Sequence, residues 1–248
     1  MRNCKMVLSY DGSDFAGWQV QPDAPTIQGT LATAIGRLTG EKVLPQGSGR
    51  TDAGVHALAQ VATFTTNSPI PAANMLTALN AILPPAIRVL DVAEVPFDFH
   101  ARKSAKAKTY TYRIARGPIC PPFLARYVWH YPYPLDEDAM KEAAPLVSGE
   151  HDFTSFAAVD PETEAPETSK VRTIFASAWE HQREEFVYTV RGSGFLHHMV
   201  RNLVGTFILV GKRTLAPEHM TRILAARSRS SAGPTAPPQG LYLVGVEY

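Results

Sequence analysis

The chain has 248 residues and a mass of 27.1 kDa, with 45% hydrophobic and 19% charged residues, a balance that excludes a mostly disordered chain and allows one or two compact units. Lysine and arginine number 24 against 23 acids, so net charge by itself names no partner. No run approaches the ~18 apolar residues of a membrane span. The apolar stretch Met6 to Tyr10 is too short for a signal-peptide core, and Cys4 and Cys120 form no CxxC pair, so a soluble, reduced, cytoplasmic protein is expected.

In chain order, Lys5 to Tyr10 reads as a strand closed by Asp11-Gly12. Thr26 to Leu38 places Ile27, Leu31, Ile35 and Leu38 at helical spacing, with Gly40 as a stop. Ala59 to Thr65 predicts a strand. Ala72 to Leu83 predicts a helix with Met75, Leu76, Leu79 and Leu83 on one face, ended by Pro84-Pro85, and Ile87 to Val95 is a strand again. Lys108 to Arg116 alternates, with Tyr110, Tyr112 and Ile114 on one face and Thr109, Thr111 and Arg113 on the other. Asp136 to Val147 predicts a helix whose opening acids suit its dipole. Val171 to His181 and Glu185 to Arg191 predict a hairpin. Leu196 to Val210 predicts a helix with Leu196, Val200, Leu203, Val204 and Phe207 inward, Pro217 to Arg227 another, and Leu241 to Glu247 a closing strand. Asp160 to Ser169 and Ser228 to Pro238 read as mobile surface loops. The sum is an α+β protein of two similar halves, residues 1–105 and 106–248, sharing a largely antiparallel central sheet with helices on one face.

Charge is unevenly distributed. Phe99 to Leu135 contains no acid but holds Arg102, Lys103, Lys106, Lys108, Arg113, Arg116 and Arg126, and Phe186 to Pro217 is acid-free with Arg191, Arg201, Lys212 and Arg213. Between them, Asp136 to Glu167 carries ten acids and only Lys141 as a base. Such segregation can raise a positive field on one face or simply be solvated. Tyr110, Tyr112, Tyr127, Trp129, Tyr131 and Tyr133 lie in the first basic stretch, a mixture suited to base stacking beside phosphates and equally to β-strands.

The densest chemical signal is Gly47-Ser48-Gly49-Arg50-Thr51-Asp52-Ala53-Gly54-Val55-His56. Its glycines allow close approach of the backbone to a ligand. Arg50 and Asp52 share a face if the segment is extended, and a nearby guanidinium favours an ionised carboxylate. Such a carboxylate can act as nucleophile, general base or metal ligand. The same residues also suit a turn in which Asp52 caps local amides. Arg201 borders the apolar stripe of its helix, where it could snorkel or hold an anion, and Tyr110 could pack a core. His197 and His198, on a helix, would point about 100° apart. With no HExxH, EF-hand loop, Cys/His cluster, GxGxxG, Walker loop or GxSxG, neither a metal nor a nucleotide cofactor is expected.

Gly49-Arg50-Thr51-Asp52-Ala53-Gly54-Val55-His56-Ala57 resembles the signature of the tRNA pseudouridine synthase A family. Further blocks resemble it in order along nearly the whole chain: Tyr10-Asp11-Gly12, Phe15-Ala16-Gly17-Trp18-Gln19, Thr26-Ile27-Gln28, Ala78-Leu79-Asn80, Phe99-His100-Ala101-Arg102, Lys108-Thr109-Tyr110, Gly149 to Phe156, Gly192 to Arg201 and Ala236 to Leu241. Lys103, where members often carry an aromatic, and the acidic stretch from Asp160 to Ser169 depart from the pattern.

The resemblance implies isomerisation of uridine to pseudouridine in the tRNA anticodon stem-loop, at positions 38 to 40 of tRNA, by a homodimer without metal or organic cofactor. It implies an active-site cleft between the halves, the first carrying the aspartate loop. It maps the catalytic aspartate to Asp52, its basic neighbour to Arg50, the active-site tyrosine to Tyr110 and the paired arginine to Arg201. Substrate contacts are expected from Tyr110, Arg102, Lys106, Lys108, His197 and Leu241. The chief rival is a tRNA-binding protein or RNA chaperone on the same fold without catalysis. A glycoside hydrolase using Asp52 would want a second carboxylate, which the sequence does not nominate.

Overall fold

The computed structural model describes residues 1–158 and 169–248. In chain order its elements are β1 (Arg2–Tyr10), α1 (Ile27–Thr39), β2 (Gln46–Gly47), β3 (His56–Thr66), α2 (Ala72–Ile82), β4 (Ile87–Val95), β5 (Ala107–Ala115) and β6 (Trp129–His130). There follow α3 (Glu137–Ala143), β7 (Gly149–Asp152), β8 (Val171–Gln182), β9 (Glu185–Gly192), α4 (Met199–Gly211), α5 (His219–Ala226) and β10 (Leu241–Glu247). The chain divides into two compact units, Met1–Lys106 with Tyr242–Tyr248, and Ala107–Leu241. No helix among the described residues is long and apolar enough to cross a membrane.

In the first unit β1 lies between β3 and β4, antiparallel to both, with Lys5 opposite Thr63 and Ala93. Its alternation buries Cys4, Met6, Leu8 and Tyr10. The closing strand, expected with the C-terminal half, belongs here: β10 runs parallel beside β3, with Tyr242 opposite His56. Backbone pairing across the sequence, rather than nearness along it, decides its membership. Thr26 caps α1 by accepting from the Gly29 N–H, and Gly40, at φ 77°, ends it. On α2 only Met75 and Leu79 are buried, and Asn80 fastens the helix to β4 by giving and taking a hydrogen bond with the Val89 backbone, at 2.8 and 2.9 Å.

In the second unit β5, β9, β8 and β7 pair antiparallel in that order, and β6 runs parallel beside β5. The sheets of both units are thus largely antiparallel, as expected. On β5 the expected alternation holds, with Tyr110, Tyr112 and Ile114 buried. The helix expected from Asp136 to Val147 is capped by Asp136 but breaks into α3 and a tighter 3-10 turn, Ala144–Val147. Pro145 has no N–H to continue the α-helical ladder.

Two further expectations are corrected. The helix expected from Leu196 begins only at Met199, because His198 takes a left-handed conformation at φ 58°. It is also buried on almost every side rather than along one stripe. Its buried polar groups are satisfied: Asn202 donates to Phe156 O at 2.7 Å, and Thr206 donates to Asn202 O at 2.7 Å. The stretch from Ser228 to Pro238 is not a free surface loop. Arg229 holds the carbonyl of Gly233 and the side chain of Asn202, and Gly233 N–H donates to Thr206 Oγ1 at 2.9 Å. A side chain on Gly205 would come within 1.7 Å of Pro234 O, so a glycine on α4 lets this segment lie against the helix backbone. The short strands β2, β6 and β7 escaped the sequence pattern. The acidic loop expected from Asp160 to Ser169 lies, apart from Ser169, outside the described residues.

Candidate active site

In the first unit the segment from Ser48 to His56 is held from several directions. Ser48 donates to Gln60 Oε1 at 2.6 Å, and Gln60 donates to Gly49 O at 2.9 Å. Thr51 is buried, its hydroxyl 2.9 Å from that of Tyr10, and its carbonyl accepts from the Trp18 N–H at 3.0 Å. Burial pushes the Tyr10 phenol up to about 12, against the opposing hydrogen bonds of Thr51 and Gln60, so it stays protonated at neutral pH. Gly17, at φ 96°, crosses so closely that a side chain there would stand 2.7 Å from Thr51 O. Asp52 opens a turn closed by the Val55 N–H on its carbonyl at 3.1 Å, with Gly54 at φ 78°. With Thr51 turned inward, Arg50 is exposed and Asp52 half-buried on either side of it.

His56, 2% exposed, ends the segment. Its Nδ1 accepts from the Gly12 N–H at 3.1 Å, which joins the aspartate loop to the turn after β1, and its ring stacks on Tyr242 at 4.8 Å. Arg102 and Lys106, in the same unit, are exposed.

In the second unit Tyr110 is 7% exposed, with its ring edge-on to Phe195 at 5.0 Å. The loop from β9 to α4 is set by Ser193, whose N–H donates to Thr173 O at 2.9 Å, and by the Ala158 N–H on His197 O at 3.0 Å. His197 and His198 precede the helix instead of lying on it, and their rings stand 3.9 Å apart. This corrects the divergent placement expected for a helix, because the left-handed residue re-aims the pair. Arg201 lies on the first turn of α4, half-buried. Its Nε donates to Ala236 O at 2.8 Å, and its carbonyl accepts from the Ala236 N–H at 3.1 Å. It is an anchored cation, not a snorkelling one, and its charge opposes the upward push that burial gives the Tyr112 phenol. Lys108 is half-buried, and Leu241, 6% exposed, follows a 3-10 turn with its N–H on Pro238 O.

Two bases of the basic stretch are committed to acids. Arg113 donates two hydrogen bonds to the Glu185 carboxylate, both 2.6 Å, and Arg116 donates to Glu137 at 2.8 Å. Sequence reasoning assigned no role to Tyr10, Trp18, Gln60, Phe195 or Ala236. Their supporting contacts run through backbone groups and distant strands, and only membership in the quoted blocks signalled most of them.

A family profile described as tRNA pseudouridine synthase matches residues 6–102 and 143–248. The chain is 53% identical to tRNA pseudouridine synthase A of Solibacter usitatus over 248 residues, covering 100% of both. It is 49% identical to the protein of that name from Moorella thermoacetica, covering 98% of each, and 44% identical to that of Caldicellulosiruptor bescii, covering 100% of each. A chain in the crystal structure of a Cbf5-Nop10-Gar1 complex aligns at 13% identity and a TM-score of 0.31, over 96% of this chain and 57% of that one. The segment bearing Tyr110 lies outside the spans that the family profile matches.

Proposed function

The chain belongs to the tRNA pseudouridine synthase family, whose members isomerise uridine in tRNA, and from that premise we propose that its targets are uridines 38 to 40 of the anticodon stem-loop, with Asp52 as the essential catalytic residue. Making pseudouridine breaks the C1′–N1 bond, turns the uracil and joins C5 to C1′. N1 gains a proton and C5 loses one, so the rearrangement is redox-neutral and conserves its atoms. Asp52 either adds to C1′ as the uracil departs or removes a sugar proton to leave a glycal.

In this reading the catalytic machinery consists of Asp52, Arg50, Tyr110 and Arg201. The two arginines orient the carboxylate and balance its charge. Tyr110 stacks on the detached uracil so that it turns without escaping, and its hydroxyl helps remove the C5 proton. Extruding the target base costs a few kcal/mol, which phosphate contacts from Arg102, Lys106 and Lys108 offset, with His197 and Leu241 lining the base. A homodimer and a cytoplasmic location extend the same reading.

The observation that carries it is the pinning of Thr51 by Tyr10 and Trp18, which holds the neighbouring Asp52 half-buried beside exposed Arg50. A carboxylate held in advance needs little reorganisation when charge develops at C1′. The test uses tRNA transcripts tritiated at uracil C5. Wild-type protein should release tritium to water from the anticodon arm. Asp52→Ala should release none while binding tRNA as before. Product from clean Asp52→Ala protein would remove the aspartate from the mechanism, and binding without release by the wild type would favour the non-catalytic tRNA-binding reading.

A further inference from the structure

A row of aromatic rings in the second unit leads from Tyr112, close enough to Arg201 to feel its charge, out to the surface. Tyr112, fully buried, meets Trp129 edge-on at 6.2 Å, Trp129 meets Tyr131 at 5.2 Å, and Tyr131 meets Tyr133 at 5.3 Å. Tyr133, the last, is 65% exposed. The backbone beneath is stiff. Tyr131 N–H donates to Ala115 O at 3.0 Å, and Pro132 and Pro134 flank Tyr133 with fixed φ. Arg116, held by Glu137, lies over the Tyr131 ring at 5.9 Å from its centre and donates to the Tyr131 carbonyl. Tyr131, Tyr133, Pro134 and Lys212 line an open surface depression of about 450 Å³.

Lys212 is exposed, and among the described residues no hydrogen bond of its ammonium to a helix carbonyl is seen. It follows α4, where a cation can serve the helix dipole, but the last carbonyls already have partners. Ile208 O accepts from the Lys212 N–H, Leu209 O from Thr214 and Leu215, Val210 O from Arg213, and Gly211 O from Asp136. The acids nearest in sequence to Tyr133 are also occupied. Asp136 pairs with Arg213 at 3.0 Å, Glu137 with Arg116 and His181, and Asp138 with Lys141 at 2.9 Å. Among the described residues no acid pairs with the exposed Lys212 ammonium.

From this we infer that the Tyr131–Tyr133–Lys212 depression is a second RNA-binding site, one that takes an unpaired nucleotide of the tRNA, its base stacked on the tyrosines and its phosphate on Lys212. Rigid aromatic faces beside a single cation are the chemistry of single-stranded RNA recognition, and stacking on them tolerates any base. The three residues that stack on or hold the nucleotide share nothing with the Asp52 loop, and Tyr131 and Tyr133 lie outside the spans matched by the family profile. The site would add affinity for the whole tRNA without entering the chemistry.

The inference rests on the tRNA reading, and the test separates the two. Full-length wild type, Tyr133→Ala, Tyr133→Phe and Lys212→Gln are compared for binding of an unmodified tRNA transcript at several salt concentrations and for tritium release. Tyr133→Ala should weaken binding at least about fivefold, the lower end of the loss of one stacked base, and Tyr133→Phe should stay within about twofold. Lys212→Gln should lower the slope of log affinity against log salt by about one phosphate contact. The losses should fall on KM rather than kcat. Unaltered affinity in Tyr133→Ala together with an unaltered slope in Lys212→Gln, with normal wild-type turnover, would overturn the site alone, and so would equal losses in Tyr133→Ala and Tyr133→Phe. A wild type that releases no tritium would instead overturn the isomerase reading. Should Tyr133→Ala lower the melting temperature, Lys212→Gln still decides.

Discussion

In the proposed reaction Tyr110 and Asp52 would be made ready for chemistry in two different ways. The backbone beside Asp52 gains its position from a neighbour, since Thr51 is locked to Tyr10 and Trp18. Tyr110 gains it by burial, edge-on to Phe195 on an alternating strand. Tyr110→Phe keeps the ring and that contact, so tRNA affinity should hold. Turnover should fall about 10²-fold, the smaller end of what general acid–base help contributes, if the hydroxyl moves the C5 proton. Tritium release at saturating tRNA measures this, and a near-normal rate would confine Tyr110 to stacking. The Arg50–Asp52 motif was legible because it is contiguous in the sequence. The part played by Phe195 was not, because nothing in its own stretch reports which strand its ring will meet.

At the scale of elements, α4 carries the most consequence. It presents Arg201 on its first turn, and Gly205, one turn further along, admits the segment whose Ala236 carbonyl holds that arginine. Gly205→Ala would set a methyl against backbone at Pro234 O, which cannot swing aside as a side chain can. We expect a loss of about 1–3 kcal/mol, the usual cost of overpacking, read by urea unfolding, together with slower tritium release as the Arg201 anchor loosens. Turnover equal to wild type in a destabilised Gly205→Ala protein would show that the anchor does not matter. Periodicity found the body of this helix and misplaced its start, because Leu196, four residues before Val200, continues the apolar rhythm while His198 adopts a left-handed backbone. Where the signal is local the sequence reading was sound, as for the stop at Gly40 after α1 and the acid-rich start of α3.

For the whole molecule the distribution of charge is the property with the widest consequence. Of the bases in the acid-free stretch from Phe99 to Leu135, Arg113 and Arg116 are committed to Glu185 and Glu137, whereas Arg102 and Lys106 stand exposed. Affinity for tRNA should therefore fall roughly tenfold or more between about 50 and 200 mM salt, with a slope reflecting a few phosphates rather than one for every base in the stretch. Binding that does not change with salt would sink the phosphate-contact reading. The sequence by itself determined the family, the α+β class, the run of long strands and helices, and the aspartate loop, since all of these are written in local spacing, turn chemistry and contiguous motifs. Tertiary structure alone decided that β10 joins the first unit, that residues 228–238 lie against α4, that Arg201 hangs from Ala236 and that Lys212 stands beside two tyrosines. Each of those depends on hydrogen bonds and close approaches between segments far apart in the chain, and composition and periodicity do not encode such partners.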